Sequence, residues 1–219
     1  MEDPIQRHPT RAEQLDILTT VVADTVPKDG WFLDLGIGTG FVAHLILSAR
    51  PDLGLVGVDI KAESLAAARD NLPAGGERLF VEGDLTRPDA IELPRTGFDG
   101  AISALTFHDL SDEAKQAVIG RAAQELTSGG VFLLYDRIRL TEPRTFPLQQ
   151  SLGRRIEREH GRGMRESADF AAYQTDLADN NRPGALNDYF AWFAAAGLGA
   201  QLLHLHGNVM LMGGVKAAA

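Results

Sequence analysis

The sequence predicts an α/β fold: a doubly wound, mostly parallel seven-stranded sheet with an antiparallel C-terminal hairpin and a helical cap insertion. Three observations lead there. Short apolar runs alternate with segments of helical periodicity from Trp31 to Asp136, as in strands buried on both faces beneath crossover helices. A glycine cluster, Gly36-Ile37-Gly38-Thr39-Gly40, lies between the first apolar run and the helical segment after it. Two further runs close the chain around Gly207-Asn208, a glycine-first pair suited to a two-residue hairpin turn.

Residues 11–26 place Leu15, Leu18, Val22 and Val26 at helical spacing, and Pro27 with Gly30 ends the segment. Trp31–Leu35 reads as a buried strand. Phe41–Ala49 restores helical spacing and Pro51 closes it. Leu55–Asp59 is a second strand, and Ala62–Leu72 a helix ended by Pro73 and Gly75-Gly76. Leu79–Val81 and Phe98–Leu105 are the third and fourth strands. Ser111 suits the N-cap of a helix over Asp112–Leu126, because its hydroxyl can accept from a first-turn N–H. Gly129-Gly130 is expected to stop that helix, and Val131–Tyr135 is the fifth strand. Residues 140–182 are polar and irregular, which suits a cap. A helix over Ala185–Ala196 then carries Leu186, Tyr189, Phe190 and Phe193 on one stripe, ahead of strands Gln201–His206 and Val209–Gly213.

The chain has 219 residues, 44% hydrophobic and 23% charged, the composition of a globular protein that fits one domain. Its expected divisions are a helical segment over 1–30, a cofactor-binding core over 31–136, a substrate cap over 137–183, and a terminal helix and hairpin over 184–219. No apolar run is long enough to span a bilayer, and the first thirty residues show no signal-peptide pattern, so the cytoplasm is the expected compartment. The absence of cysteine excludes disulfides, thiolate metal sites and a cysteine nucleophile. A net charge of −9 argues against a non-specific nucleic-acid binder. One window departs from that balance: Arg137, Arg139, Arg144, Arg154, Arg155, Arg158, Arg162 and Arg165 face only Glu142, Glu157 and Glu159 between 137 and 165. It reads either as a solvated mixed-charge helix or as a basic pocket wall.

The glycine cluster carries the clearest chemistry. Glycine lets a backbone turn sharply and lets a ligand approach it without a Cβ clash. A dinucleotide fingerprint would require glycine or alanine at position 41, where Phe41 stands. The full pattern is Asp34-Leu35-Gly36-Ile37-Gly38-Thr39-Gly40, and it resembles motif I of the class I S-adenosylmethionine-dependent methyltransferases. The resemblance covers at least residues 31–136 and, with the terminal helix and hairpin, nearly the whole chain. It implies a Rossmann-like fold and S-adenosyl-L-methionine as cofactor, with Gly36, Gly38 and Gly40 turning against it. It further implies the ribose hydroxyls on Asp59, the adenine face on Ile60, and the adenine amino group at Gly83-Asp84-Leu85 through the acid. The methionine part would lie by the backbone of Ala104 and Leu105, and the ammonium end would face Asp34. Acids near the ends of three consecutive strands also suit one shared ligand, because ligands of open α/β sheets bind outside those ends.

Methyl transfer from a sulfonium asks the protein to align the acceptor and, where needed, to take its proton. His108, just beyond the fourth strand, is the candidate catalytic residue, either as a base or as an acceptor-binding group; the orienting role is the expected one. Arg137 and Tyr173 are further candidate substrate-binding residues, Phe170 would join Tyr173 in an apolar wall, and the cap arginines could clamp a carboxylate or phosphate. His204 and His206 share a strand face and read as packing or surface histidines, so no metal is expected. His8, His44 and His160 are not placed by the sequence.

The leading reading is a methyltransferase acting on a small, anionic metabolite, with no nucleic-acid or membrane partner. A homodimer would form through the apolar terminal helix and hairpin if they were exposed. No N-P-P-Y-type tetrapeptide follows the fourth strand, where amino-methylating nucleic-acid enzymes present one. Two alternatives stand: an enzyme like carboxy-S-adenosylmethionine synthase, whose layout is similar but whose glycine motif differs, and a non-catalytic cofactor-binding module.

Overall fold

The computed structural model describes residue 5 and residues 10–161, 167–177 and 181–218. The chain runs through α1 (Arg11–Thr25), β1 (Trp31–Leu35), α2 (Phe41–Ala49), β2 (Gly54–Asp59), α3 (Ala62–Asn71) and β3 (Arg78–Glu82). It continues through β4 (Phe98–Ala104), α4 (Asp112–Glu125), β5 (Leu126–Arg137), α5 (Phe146–His160) and α6 (Phe170–Asp176), then α7 (Leu186–Ala195), β6 (Leu198–His206) and β7 (Val209–Lys216). All seven strands form one sheet in the order β3-β2-β1-β4-β5-β7-β6. The first five are parallel, and β7 runs antiparallel to both β5 and β6.

Side-chain alternation along each strand feeds two cores. On one face Leu33, Val56, Phe132 and Leu134 pack with α4 and α7, where Phe132 stacks on Phe193 at 5.4 Å between ring centroids. On the other face Phe32, Leu55, Ile102 and Leu133 pack with Leu15, Leu18, Ile46 and Leu47 of α1 and α2. The strand order reverses between β1 and β4, so their C-terminal ends open a crevice at the topological switch point.

Several expected boundaries move. Helix α4 begins as expected, with Ser111 accepting from Ala114 N, but it ends at Glu125. Gly129-Gly130 lies inside β5, which runs from Leu126 and shifts register against β4 between Phe98 and Gly100. The glycine pair serves a strand irregularity and does not stop a helix. Strand β4 ends one residue early because Leu105 turns to φ +55. The cap is less irregular than residues 140–182 suggested: α5 and α6 form there, and Phe146, Phe170 and Tyr173 pack mutually at 5.6–5.7 Å. Both hairpin strands are longer than expected, because β6 and β7 pair with each other from Leu198 to Lys216.

Candidate functional site

A cavity of about 850 Å³ opens at the switch point, within the range of ligand sites. The turn after β1 forms one wall. Gly36 N and Ile37 N both donate to Val58 O, at 2.8 and 2.9 Å, which bends the chain back over the end of β2. Gly36 has φ +86, and a methyl group there would land on the Thr106 side chain. Gly38 has φ +55, and a Cβ there would meet nothing within 4 Å. It would project into open cavity space. The first glycine therefore admits a protein neighbour, and the second leaves room for a ligand.

Two acids flank this turn. Asp34 is 2% exposed, and among the described residues no donor bonds its carboxyl. Burial, and then the charge of Asp59, push its pKa up to about 8. A buried carboxylate without donors is unfavourable by itself and suited to a cationic ligand group. Asp59 accepts from Gly38 N at 2.8 Å and from Lys61 N at 3.0 Å. Each oxygen keeps a lone pair for a vicinal diol. Ile60, Ala104 and Leu105 also line the cavity, and Ile60 is 58% exposed, as suits an apolar plate awaiting a ring. Gly83, Asp84 and Leu85 are not among the lining residues. A Cβ on Gly83 would press on Ile91, Asp84 accepts from Thr86 N and Oγ1 at 2.8 Å, and Leu85 is buried in the core. Gly40, at φ +83, lies against Ala68 and Leu72 of the neighbouring helix region.

His108 also lines the cavity, in a short 3-10 turn, Phe107–Asp109. Its Nδ1 is 2.6 Å from Oδ1 of the fully buried Asp136, and its main-chain N donates to Asp136 Oδ2 at 3.0 Å. Arg137 N also donates to Asp136, at 2.6 Å. A carboxylate only accepts, so Nδ1 carries a proton, and in the neutral ring the lone pair then falls on Nε2. The nearest charged atom to Nε2 is Asp109 Oδ1 at 3.8 Å, beyond hydrogen-bond reach. The sequence singled out His108 and missed Asp136. The signal was present, since Asp136 lies one residue before the end of the fifth strand, as Asp34 does in the first, and Asp59 ends the second.

Arg137 and Tyr173 both line the cavity. Arg137 Nη1 reaches only Asn181 Oδ1, at 3.4 Å, and among the described residues it has no carboxylate partner. The Tyr173 hydroxyl accepts from Leu140 N at 2.9 Å, which ties α6 to the start of the cap. Phe170 packs behind Tyr173 rather than on the cavity. The basic-wall reading of residues 137–165 reduces to Arg137 among the described residues: Arg139 pairs with Asp188 and Arg144 with Glu142, while Arg162 and Arg165 lie outside them. Arg11 and Tyr135, missed by the sequence, also line the cavity; α1 brings Arg11 there across more than a hundred residues.

Among the described residues, the other histidines are not part of the cavity lining. His44 Nδ1 bonds Asn71 O at 2.8 Å, and His204 Nδ1 meets the buried Gln14 at 3.2 Å. His160 ends α5, and His8 lies outside the described residues.

The methyltransferase domain family matches residues 33–132. An uncharacterized methyltransferase of Bacillus cytotoxicus is 31% identical over 150 residues, which are 68% of this chain and 63% of that protein. Ribosomal RNA small subunit methyltransferase C of Shewanella halifaxensis is 34% identical over 126 residues, 55% of this chain and 35% of that protein. Carboxy-S-adenosyl-L-methionine synthase of Campylobacter lari is 28% identical over 131 residues, 59% of this chain and 54% of that protein. The chain thus spans less than two thirds of the length of each of these relatives. In structure, an O-methyltransferase family protein from Burkholderia thailandensis superposes with a TM-score of 0.71 at 17% identity, over 95% of this chain and 56% of that one. With the glycine turn and the acids at the strand ends, these matches define a class I S-adenosylmethionine-dependent methyltransferase domain. Its cofactor is S-adenosyl-L-methionine, and the open space at Gly38 and the donorless Asp34 fit that molecule. No helix among the described residues is long and apolar enough to cross a membrane.

Proposed function

We propose that this protein methylates a protic heteroatom, most simply a hydroxyl, on a small anionic acceptor, with His108 as the general base. The observation that carries the reading is the 2.6 Å contact between His108 Nδ1 and the buried Asp136, which leaves Nε2 as an acceptor on the cavity wall. S-adenosyl-L-methionine supplies a methyl group activated on a sulfonium. Asp34 would hold its ammonium, Asp59 its ribose hydroxyls, and Ile60 one face of its adenine. His108 Nε2 takes the acceptor's proton while Asp136 holds the ring in one tautomer and favours the imidazolium that forms. Arg137 offers a planar fork of donors to a carboxylate or phosphate on the acceptor. The cap residues Tyr173, Leu177 and Pro183 also line the cavity, and a cleft of this volume walled in part by the cap suits a small molecule.

The test is incubation with methyl-labelled cofactor and a metabolite extract, a total RNA preparation, or neither. Label in a small acidic product supports the proposal. Label in RNA, a relative's named substrate, overturns the choice of acceptor. A cofactor heavier by a carboxylate in place of a methylated product would favour the synthase reading. Binding without turnover of any kind would favour a non-catalytic module.

A further inference from the structure

Beneath the His108 turn lies a charged side chain that the proposed reaction does not use. Lys115 of α4 is fully buried, and its Nζ meets three groups: Leu110 O at 2.7 Å, Asp112 Oδ1 at 2.9 Å and Arg182 O at 2.5 Å. All three are acceptors. Three acceptors require three donors, which the ammonium has and the neutral amine lacks. Lys115 is therefore a buried cation.

Its contacts converge on His108 by two routes. Through the backbone, Arg182 N donates to His108 O at 2.6 Å and Arg182 Nη2 donates to Asp109 O at 3.0 Å. Lys115 thus grips the segment that returns from the cap and closes over the His108 turn. Through space, its charge acts on the buried Asp136 carboxylate, the partner of His108.

Resting on the reading of His108 as base, we propose that Lys115 is a positioning residue for it, holding the cap's return segment on the His108 turn and offsetting the charge of Asp136. A buried carboxylate alone would draw a proton strongly onto the imidazole and keep it there. A cation nearby weakens that pull. Other charged or titratable groups face this centre. They are Asp109 and Arg137 at the cavity, Asp112 on α4, Arg182 on the return segment, and the buried Tyr135 of β5 and Tyr189 of α7, which both feel Asp136. Among these, Lys115 is the fully buried cation.

Titration of the His108 ring by nitrogen-correlated NMR tests this without an acceptor, with its signal assigned by His108→Gln. Lys115→Met is expected to raise the His108 midpoint by roughly one unit, the lower end of a neighbouring charge's effect. Lys115→Arg, which keeps the charge, should leave the midpoint near that of the unaltered protein. An unchanged or lowered midpoint in Lys115→Met, or equal shifts in both variants, overturns the proposal. Should Lys115→Met not fold, the half-exposed Asp112→Asn serves instead. It leaves the ammonium less neutralised, so the midpoint should fall, and an unchanged midpoint overturns the proposal. Loss of the base reading would show separately, as full turnover in His108→Gln.

Discussion

His108 and Asp136, 28 residues apart in the chain, are joined by two hydrogen bonds, from the ring Nδ1 at 2.6 Å and from the main-chain N at 3.0 Å. The second bond fixes the turn and the first fixes the tautomer. His108→Gln should lower turnover by about 10²–10⁴-fold, the usual share of a general base, with cofactor affinity unchanged. The rate of the unaltered protein should rise with pH as the ring loses its proton, and the variant should lose that limb. Asp136→Asn should lower turnover by at least about 10²-fold through the wrong tautomer. Steady-state kinetics across pH would decide, and rates in both variants equal to that of the unaltered protein would remove the pair from the reaction.

Asp34 links binding to protonation. Burial and the charge of Asp59 push its pKa up to about 8, so without a cationic partner it is largely neutral at pH 7. An ammonium ligand would ionise it, so cofactor binding at pH 7 should release close to one proton, measurable by calorimetry in two buffers of different ionisation enthalpy. Affinity should rise with pH toward 8. The stability of the ligand-free protein should move the other way. The folded state holds this proton and the unfolded chain does not, so stability falls as pH rises from about 4 to 8. Asp34→Asn should abolish the proton release and raise the melting temperature by roughly 2–4 °C per kcal/mol gained, more at pH 8 than at pH 5.

Asp59→Ala should weaken cofactor binding by about 1.5–3 kcal/mol, the value of a charge-assisted hydrogen bond. It also strips Gly38 N and Lys61 N of their acceptor, so the turn should loosen. Calorimetry with unchanged affinity would sink the ribose assignment.

The two glycines should separate fold from function. Gly38→Val should abolish cofactor binding because the added side chain enters open cavity space; it clashes with no neighbour, and its cost to the fold is the strain of a left-handed backbone at φ +55, about 1–3 kcal/mol. Gly36→Ala should destabilise the protein by about 1–3 kcal/mol, because its Cβ meets Thr106 in a left-handed backbone. Thermal melts alongside binding isotherms give both readouts. A stable, binding-competent Gly38→Val would mean that the ligand lies elsewhere.

Arg137→Ala should raise the Michaelis constant for an acidic acceptor by about 10- to 100-fold, as expected from losing a charged hydrogen bond of 1.5–3 kcal/mol. Cofactor affinity should not change. An unaffected Michaelis constant would leave the acceptor's charge without a recognised partner.

The sequence by itself determined what depends on neighbours along the chain. Apolar runs and helical periodicity gave the strand and helix order, because burial on a sheet face or a helix stripe repeats every two or roughly three and a half residues. The turn from Asp34 to Gly40 and the acid of Asp59 were legible for the same reason: left-handed backbone requires glycine locally, and strand ends announce themselves. Tertiary structure alone decided the rest. It placed Asp136 under His108, brought Arg11 from α1 to the cavity, and closed the return segment onto Lys115. It also drew Gly129-Gly130 into β5, where pairing with β4 outweighs the local tendency to turn. Those contacts join residues far apart in sequence, and their energies come from burial and charge in a shared interior. No local pattern records them, which is why the glycine turn and Asp59 were legible in the chain, whereas Asp136, Arg11 and Lys115 required the fold, as did the removal of Gly83, Asp84 and Leu85 from the cavity lining.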